Sequence, residues 1–210
     1  MRLRELLDLS NVGINNIEQR FQEIAELLFQ EYCIKKGNDQ YKLLEIEFYY
    51  YTKDFEDIIT YPRNVSGGKW FFHESGVDIT FDSKCTDKDC SCDKRKPNED
   101  YFGGILIRSL LKNDEELITG PLKCSWALFD FIDAFTLEKE DLPLIVNNEN
   151  DKLPIFATNR HIPIDEEKVK IRFGNNSDSF LSFKGKPYRF YIKHPLWVNI
   201  TKAKYSARPW

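Results

Sequence analysis

Residues 41–51, YKLLEIEFYYY, constrain the fold more than any other segment of this chain. The aromatic-rich run suits a pleated strand. Successive strand side chains point to opposite faces, so Glu45, Glu47 and Tyr49 share one face and Leu44, Ile46 and Phe48 the other. The second face is core. The first is acidic and aromatic, an unusual use of carboxylates beside so much ring surface. A carboxylate that lines a cavity has its pKa raised by desolvation, which suits it to general-base work. The same alternation also fits a strand with ordinary solvent-facing carboxylates.

The rest of the chain reads as alternating helices and strands. Over 15–32, Ile17, Phe21, Ile24, Leu28 and Tyr32 recur every three to four residues, which predicts an amphipathic helix. A strand or hairpin around Gly76 is expected over 68–82, a buried strand entered through paired glycines over 103–111, and a helix after Gly120-Pro121 over 120–135. Residues 139–165 read as loop, followed by strands at 168–173 and 186–192 and a further extended piece in HPLWVNITKAK. No repeat, low-complexity tract or linker interrupts the 210 residues. The expectation is one α+β domain over 1–210, with a cysteine-containing hairpin insert at about 84–98.

Hydrophobic content of 41% and charged content of 30% suit a globular chain, and no run approaches the roughly 20 apolar residues of a membrane helix. The N-terminus MRLRELLDLS lacks the apolar core of a secretory signal, so a cytoplasmic location is expected, with no membrane partner. The net charge of −4 argues against nucleic acid, but its distribution does not. Residues 181–210 carry +7 and no carboxylate, leaving the other 180 residues at −11. Lys184, Lys186, Arg189 and Lys193 alternate there with Tyr188, Phe190, Tyr191 and Trp197. Basic side chains interleaved with aromatics suit phosphate contact and base stacking, or equally a lysine-protected strand edge.

Three of the five cysteines lie in CTDKDCSCDKRKP: Cys85, Cys90 and Cys92. With His73 and Cys124 they offer zinc donors, but C-x4-C-x-C is not the spacing of a knuckle or ribbon. Reduced thiols on an exposed hairpin tip are expected, with no metal and no cofactor. His73, Ser75 and Asp78 suggest a triad on paper, yet no G-x-S-x-G elbow is present.

Several segments, taken in order, resemble the alkyladenine (methylpurine) DNA glycosylases. EIEFY at 45–49 is similar to that family's Glu-Thr-Glu-Ala-Tyr strand, and YPRN at 61–64 to its Pro-Arg-Asn turn. GILIRSL at 104–110, GPLKCSWAL at 120–128 and KPYRFYIKHPLWVNI at 186–200 resemble its later strands and helix start. The similarities span about residues 17 to 204.

The resemblance implies a curved antiparallel, barrel-like sheet with flanking helices, and hydrolysis of the N-glycosidic bond of a damaged or modified purine. Glu47 would activate water and Tyr49 would stack on the flipped base. Arg63 and Arg108 correspond to the family's arginines and join Lys184, Lys186, Arg189 and Lys193 as expected nucleic-acid contacts. Thr60 or Tyr61 falls at its stacking histidine, which His73, without a counterpart in the family, would replace; Phe72 falls on its second stacking tyrosine and Asp82 on its base-gating asparagine. Its wedge tyrosine falls on Ser75, which cannot plug a base stack. A monomer acting on single-stranded or damaged DNA is therefore expected. The alternative is a catalytically inactive module on the same fold that binds nucleic acid or a nucleoside.

Overall fold

The computed structural model describes residues 2–87, 96, 98–130, 135–136, 138, 142–162, 167, 170, 177–197 and 208–209. Strand β2 (Asp39–Thr52) is the spine, as its sequence demands. It pairs antiparallel with β6 (Phe102–Lys112) from Tyr41↔Lys112 to Tyr51↔Phe102. On its other side lies β10 (Arg189–Ile192), which pairs in turn with β9 (Ile155–Thr158). Beyond β6 come β5 (Gly76–Thr80) and the edge strand β4 (Trp70–His73). Short strands β1 (Tyr32–Lys36), β3 (Phe55–Glu56), β7 (Glu116–Thr119), β8 (Leu144–Asn147) and β11 (Arg208–Pro209) complete a curled antiparallel sheet.

Four helices flank it among the described residues: α1 (Arg2–Leu6), α2 (Ile17–Gln30), α3 (Pro121–Phe129) and α4 (Ser177–Lys184). The apolar stripe of α2 meets the Leu44–Ile46–Phe48 face of the sheet, and all three sheet residues are buried in the main core. Phe21 stacks on Phe48 at 4.6 Å, and Phe190 meets Phe48 edge-on at 5.3 Å. Emptying that contact with Phe48→Ala would cost about 3–5 kcal/mol. The glycines that open β6 have steric reasons. A Cβ on Gly103 would lie 2.2 Å from the carbonyl oxygen of Tyr49, and one on Gly104 would lie 2.8 Å from Arg63 Nη1.

Several expectations need correction. The helix expected over 120–135 ends at Phe129, because Asp130 takes extended backbone (φ −68°, ψ 147°). The stretch read as loop over 139–165 contains β8 and β9. Four-residue strands show too little alternation to register in sequence, and these exist because β1 and β10 supply their partners. Pro195–Trp197 forms a 3-10 turn where extended chain was expected. The strand expected over 168–173 lies outside the described residues except Lys170, which is helical. At the base of the insert Lys84 bridges to Tyr101, and Cys85 is buried, not exposed; Cys90 and Cys92 lie outside the described residues.

Candidate functional site

The register of the sheet lines up Arg189, Glu47, Leu106 and Asp78 on four adjacent strands. Residues paired across strands share a face, so the face opposite the α2 core carries a row of charge. Two clusters form along it. One is centred on Glu45 and Glu47, the other on Asp78, about 10 Å apart by the strand spacing.

The central cluster depends on an irregularity. The pairing of β2 with β6 shifts between Leu43 and Glu45 and again between Glu45 and Ile46, so that Glu45 faces Ser109 and Ile46 faces Ile107. Arg108 is thereby bulged, and adjacent residues that would point to opposite faces both reach one carboxylate. Ser109 Oγ donates to Glu45 Oε2 at 2.8 Å and Arg108 Nε donates to Glu45 Oε1 at 3.2 Å. Arg189 Nε also donates to Glu45 Oε1.

Glu47, fully buried, is held from every side. Its Oε2 accepts from the Tyr49 hydroxyl at 2.7 Å and from Arg108 Nη1 at 3.2 Å. Its Oε1 accepts from the His161 backbone N–H at 2.9 Å and lies 3.7 Å from Arg189 Nε. Two carboxylates thus face two guanidinium groups. Burial disfavours the Arg108 cation, but Glu47 and Glu45 outweigh it and hold its pKa above the usual range. Burial and the neighbouring Glu47 charge push the Tyr49 phenol well up, so it remains a donor.

Arg160 closes this cluster from the loop after β9. Its two Nη atoms clamp Asp57 at 2.5 and 3.1 Å and also donate to the carbonyls of Phe48 (3.2 Å) and Phe183 (2.6 Å). The guanidinium carbon sits 4.7 Å from the centre of the Tyr49 ring, in cation–π contact. Its Nε is buried without a hydrogen-bond partner among the described residues.

The second cluster lies at the β4–β5 edge. Arg63 Nη1 donates to Asp78 Oδ2 at 2.7 Å, and its guanidinium covers the Phe71 ring at 3.9 Å. His73 Nε2 lies 3.0 Å from Asp78 Oδ1, while His73 Nδ1 accepts from the Ser75 backbone N–H at 3.3 Å. That pattern puts a proton on Nε2 and ends the paper triad, since Ser75 offers its amide to the ring. Burial would raise the pKa of Asp78, but the bond to His73 and the Arg63 cation hold it below the ordinary range. Tyr61 packs on His73 at 4.9 Å, and its hydroxyl donates to Glu74 at 2.6 Å.

The sequence-derived candidates therefore divide. Glu47, Tyr49, Arg108 and Arg189 come together, and Arg63, Tyr61 and His73 gather around Asp78. Arg63, Arg108 and Arg189 were expected to contact nucleic acid, but all three are turned inward against buried carboxylates. Unpaired buried charge is too costly for a sheet that bears Glu45, Glu47 and Asp78 on one face. The space over Gly104, between Tyr49 and the second cluster, is filled by Arg63. Phe72 is 54% exposed and packs edge-on against Phe129 at 4.6 Å, away from His73 because strand neighbours alternate. Asp82 accepts from the backbone N–H of Gly67 at 3.0 Å. Lys186 pairs with Glu18 at 3.4 Å, the exposed Lys193 lies 4.4 Å from the Phe156 ring, and Lys184 is half-buried on α4.

Asp57, Ser109, Arg160 and the His161 amide were missed by sequence reasoning. Asp57 and Arg160 are 103 residues apart, and neither lies in a periodic run that would draw attention to it. Among the described residues, no group of three or more His, Cys, Asp or Glu side chains is arranged to hold a metal ion, and no helix is long and apolar enough to cross a membrane.

No protein-family model matches the chain. It is 26% identical over 195 residues to "Uncharacterized protein L759" of Acanthamoeba polyphaga mimivirus, an alignment covering 83% of this chain and 87% of that protein. No solved structure matches.

Proposed function

We propose that this chain has a methylpurine-glycosylase-like fold and hydrolyses the N-glycosidic bond of a damaged or modified purine in DNA. The observation that carries the reading is the contact of Glu47 Oε2 with both Arg108 and the Tyr49 hydroxyl. It joins Glu47 and Tyr49, to which the resemblance assigns the water and the flipped base, with the arginine it carries over as a nucleic-acid contact, although Glu47 and Arg108 are 61 positions apart. In this reading Glu47 takes a proton from water, the water oxygen bonds to the sugar C1′, and the base departs with the electrons of the C1′–N bond. Positive charge develops on the sugar, and the neighbouring Glu45 carboxylate stabilises it.

One observation favours a second reading, a non-catalytic module that binds nucleic acid or a nucleoside. Glu47 is fully buried and both of its oxygens already accept hydrogen bonds. Glu47→Gln separates the two. In the hydrolase, base release from alkylated DNA falls by about 10²–10⁴ while the variant stays folded. Wild-type protein that releases no base from damaged oligonucleotides or modified nucleosides leaves the binding module.

Nucleic-acid contact in either reading runs along the basic C-terminal segment. Exchanging Lys184, Lys186 and Lys193 for Glu then weakens binding across sequences alike and flattens its salt dependence, because fewer counterions are released. Single-stranded DNA binds better than intact duplex, since Ser75 offers no wedge. A titration at low salt with no DNA or RNA binding would remove the nucleic-acid partner.

A further inference from the structure

We infer that the cleft between α2 and the start of β9 binds a small organic cation, a primary ammonium on a short aliphatic stem. The cleft lies on the core side of the sheet, across it from Glu47, so it stands apart from the hydrolase reading and does not depend on it.

The cleft follows from where α2 packs. Its apolar stripe lies over Leu44, Ile46 and Phe48 of β2, whereas β9 is two strands further out, about 10 Å away by the strand spacing. A helix about 10 Å across that sits over β2 leaves space beneath its flank. Phe190 pairs with Ala157 and Ile192 with Ile155, which puts Phe190 and Ile155 on the helix side of the sheet. With Leu153 they form the apolar wall of a cavity of about 270 Å³, and Gln22, Glu26 and Gln30 of α2 line it from the other side. That volume lies just below the ~300 Å³ at which pockets for drug-sized ligands begin, so the occupant is small.

The three polar residues recur every fourth position, one above the other on the helix. Gln22 and Gln30 are half-buried and Glu26 is exposed. Among the described residues, none of these side chains has a hydrogen-bond or ion-pair partner. Elsewhere on α2 such groups are matched: Glu23 pairs with Arg20 at 3.2 Å and accepts from Gln19 at 3.3 Å, and Glu18 pairs with Lys186.

The charge around the cleft selects the ligand. Asn148 and Asn150 donate their backbone N–H groups to the carbonyls of Glu31 and Gln30, which brings Glu149 and Asp151 to the C-terminal end of α2 beside Glu26 and Glu31. The helix dipole adds partial negative charge at that end. Against these carboxylates the loop offers Lys152, which is exposed and makes no ion pair with Glu26. A cation is therefore favoured. An ammonium has three N–H donors and no acceptor, which fits one carboxylate and two amide oxygens, while an alkyl stem fits Leu153, Ile155 and Phe190.

The test is a titration of the full-length protein with n-pentylamine, which is protonated at neutral pH, read from the side-chain amide signals of Gln22 and Gln30 by NMR. Saturable shifts of both are expected, with a Kd of about 1 mM or tighter. 1-Pentanol has the shape without the charge, and ammonium chloride the charge without the stem. Each should bind about tenfold more weakly or worse. Glu26→Gln, at an exposed position whose side chain holds nothing in the fold, should weaken pentylamine about tenfold and leave pentanol unchanged. Pentanol binding as well as pentylamine would overturn the cation. Ammonium chloride binding as well, an undiminished affinity in Glu26→Gln, or no saturable shift of the two glutamines would overturn the cleft. Nα-acetyl-lysine amide binding more tightly than pentylamine would overturn the free amine in favour of a lysine side chain from a partner.

Discussion

At the centre of the sheet two carboxylates share two guanidinium groups, whereas at the β4–β5 edge one carboxylate is shared by a guanidinium and an imidazole. The central cluster is flanked by strands on both sides and sealed by a loop amide. The edge cluster lies on β5 between β6 and β4, with no strand beyond β4 among the described residues, and opens towards the exposed Glu74 through Tyr61. Burial in the centre requires every charge to be matched, because no water can make up a deficit. At the edge an imidazole N–H suffices for one carboxylate oxygen. The comparison teaches where mutation will be felt as lost stability and where as altered chemistry.

The largest effect should come from Arg189→Met, which leaves Glu45 and Glu47 to share Arg108. Breaking a buried pair costs about 3–5 kcal/mol, and two buried carboxylates left with one guanidinium place this variant at the upper end. Denaturant unfolding within 1 kcal/mol of wild type would show that the centre is no more demanding than the edge. Asp78→Asn should cost about 3 kcal/mol, because the neutral side chain still accepts from His73 while Arg63 loses its counter-charge.

The edge cluster also predicts a pH dependence. The pKa of Asp78 is lower in the folded state than in the unfolded chain, so its stabilisation is fully present above the unfolded value near pH 4. It is lost as pH falls through the lower folded value, since the unfolded chain then binds the extra proton. Melts of Asp78→Asn below pH 4 should have a shallower slope than wild type; equal slopes would assign the acid sensitivity elsewhere.

Ser109→Ala removes one neutral donor to a buried carboxylate, and a loss of about 1.5–2 kcal/mol is expected by chemical denaturation. A loss below ~0.5 kcal/mol would mean that the bulge at Arg108 survives without that bond. Tyr61→Phe should be the mildest change, about 0.5 kcal/mol or less, because its acceptor Glu74 is exposed to water. A loss matching that of Ser109→Ala would erase the distinction between centre and edge.

Much of this was legible in residues close in sequence. The period of two in 44–49 gave both faces of β2, and the stripe of 17–28 at a spacing of three to four gave α2, because each pattern follows from the geometry of its own element. The core face at Leu44, Ile46 and Phe48 was therefore readable. The other face was not. Alternation put Glu45, Glu47 and Tyr49 together but could not say whether water, a cavity or other side chains lay opposite.

The sequence by itself determined that two carboxylates and a tyrosine share one face of a central strand. Tertiary structure alone decided that Arg108, Arg189 and the His161 amide close over them. Those groups come from 61 to 144 positions away, and a bulge aims one of them. Periodicity reports which way a side chain points from its own strand. What it meets there depends on strand order, register and loop path, which are set by the packing of the whole chain.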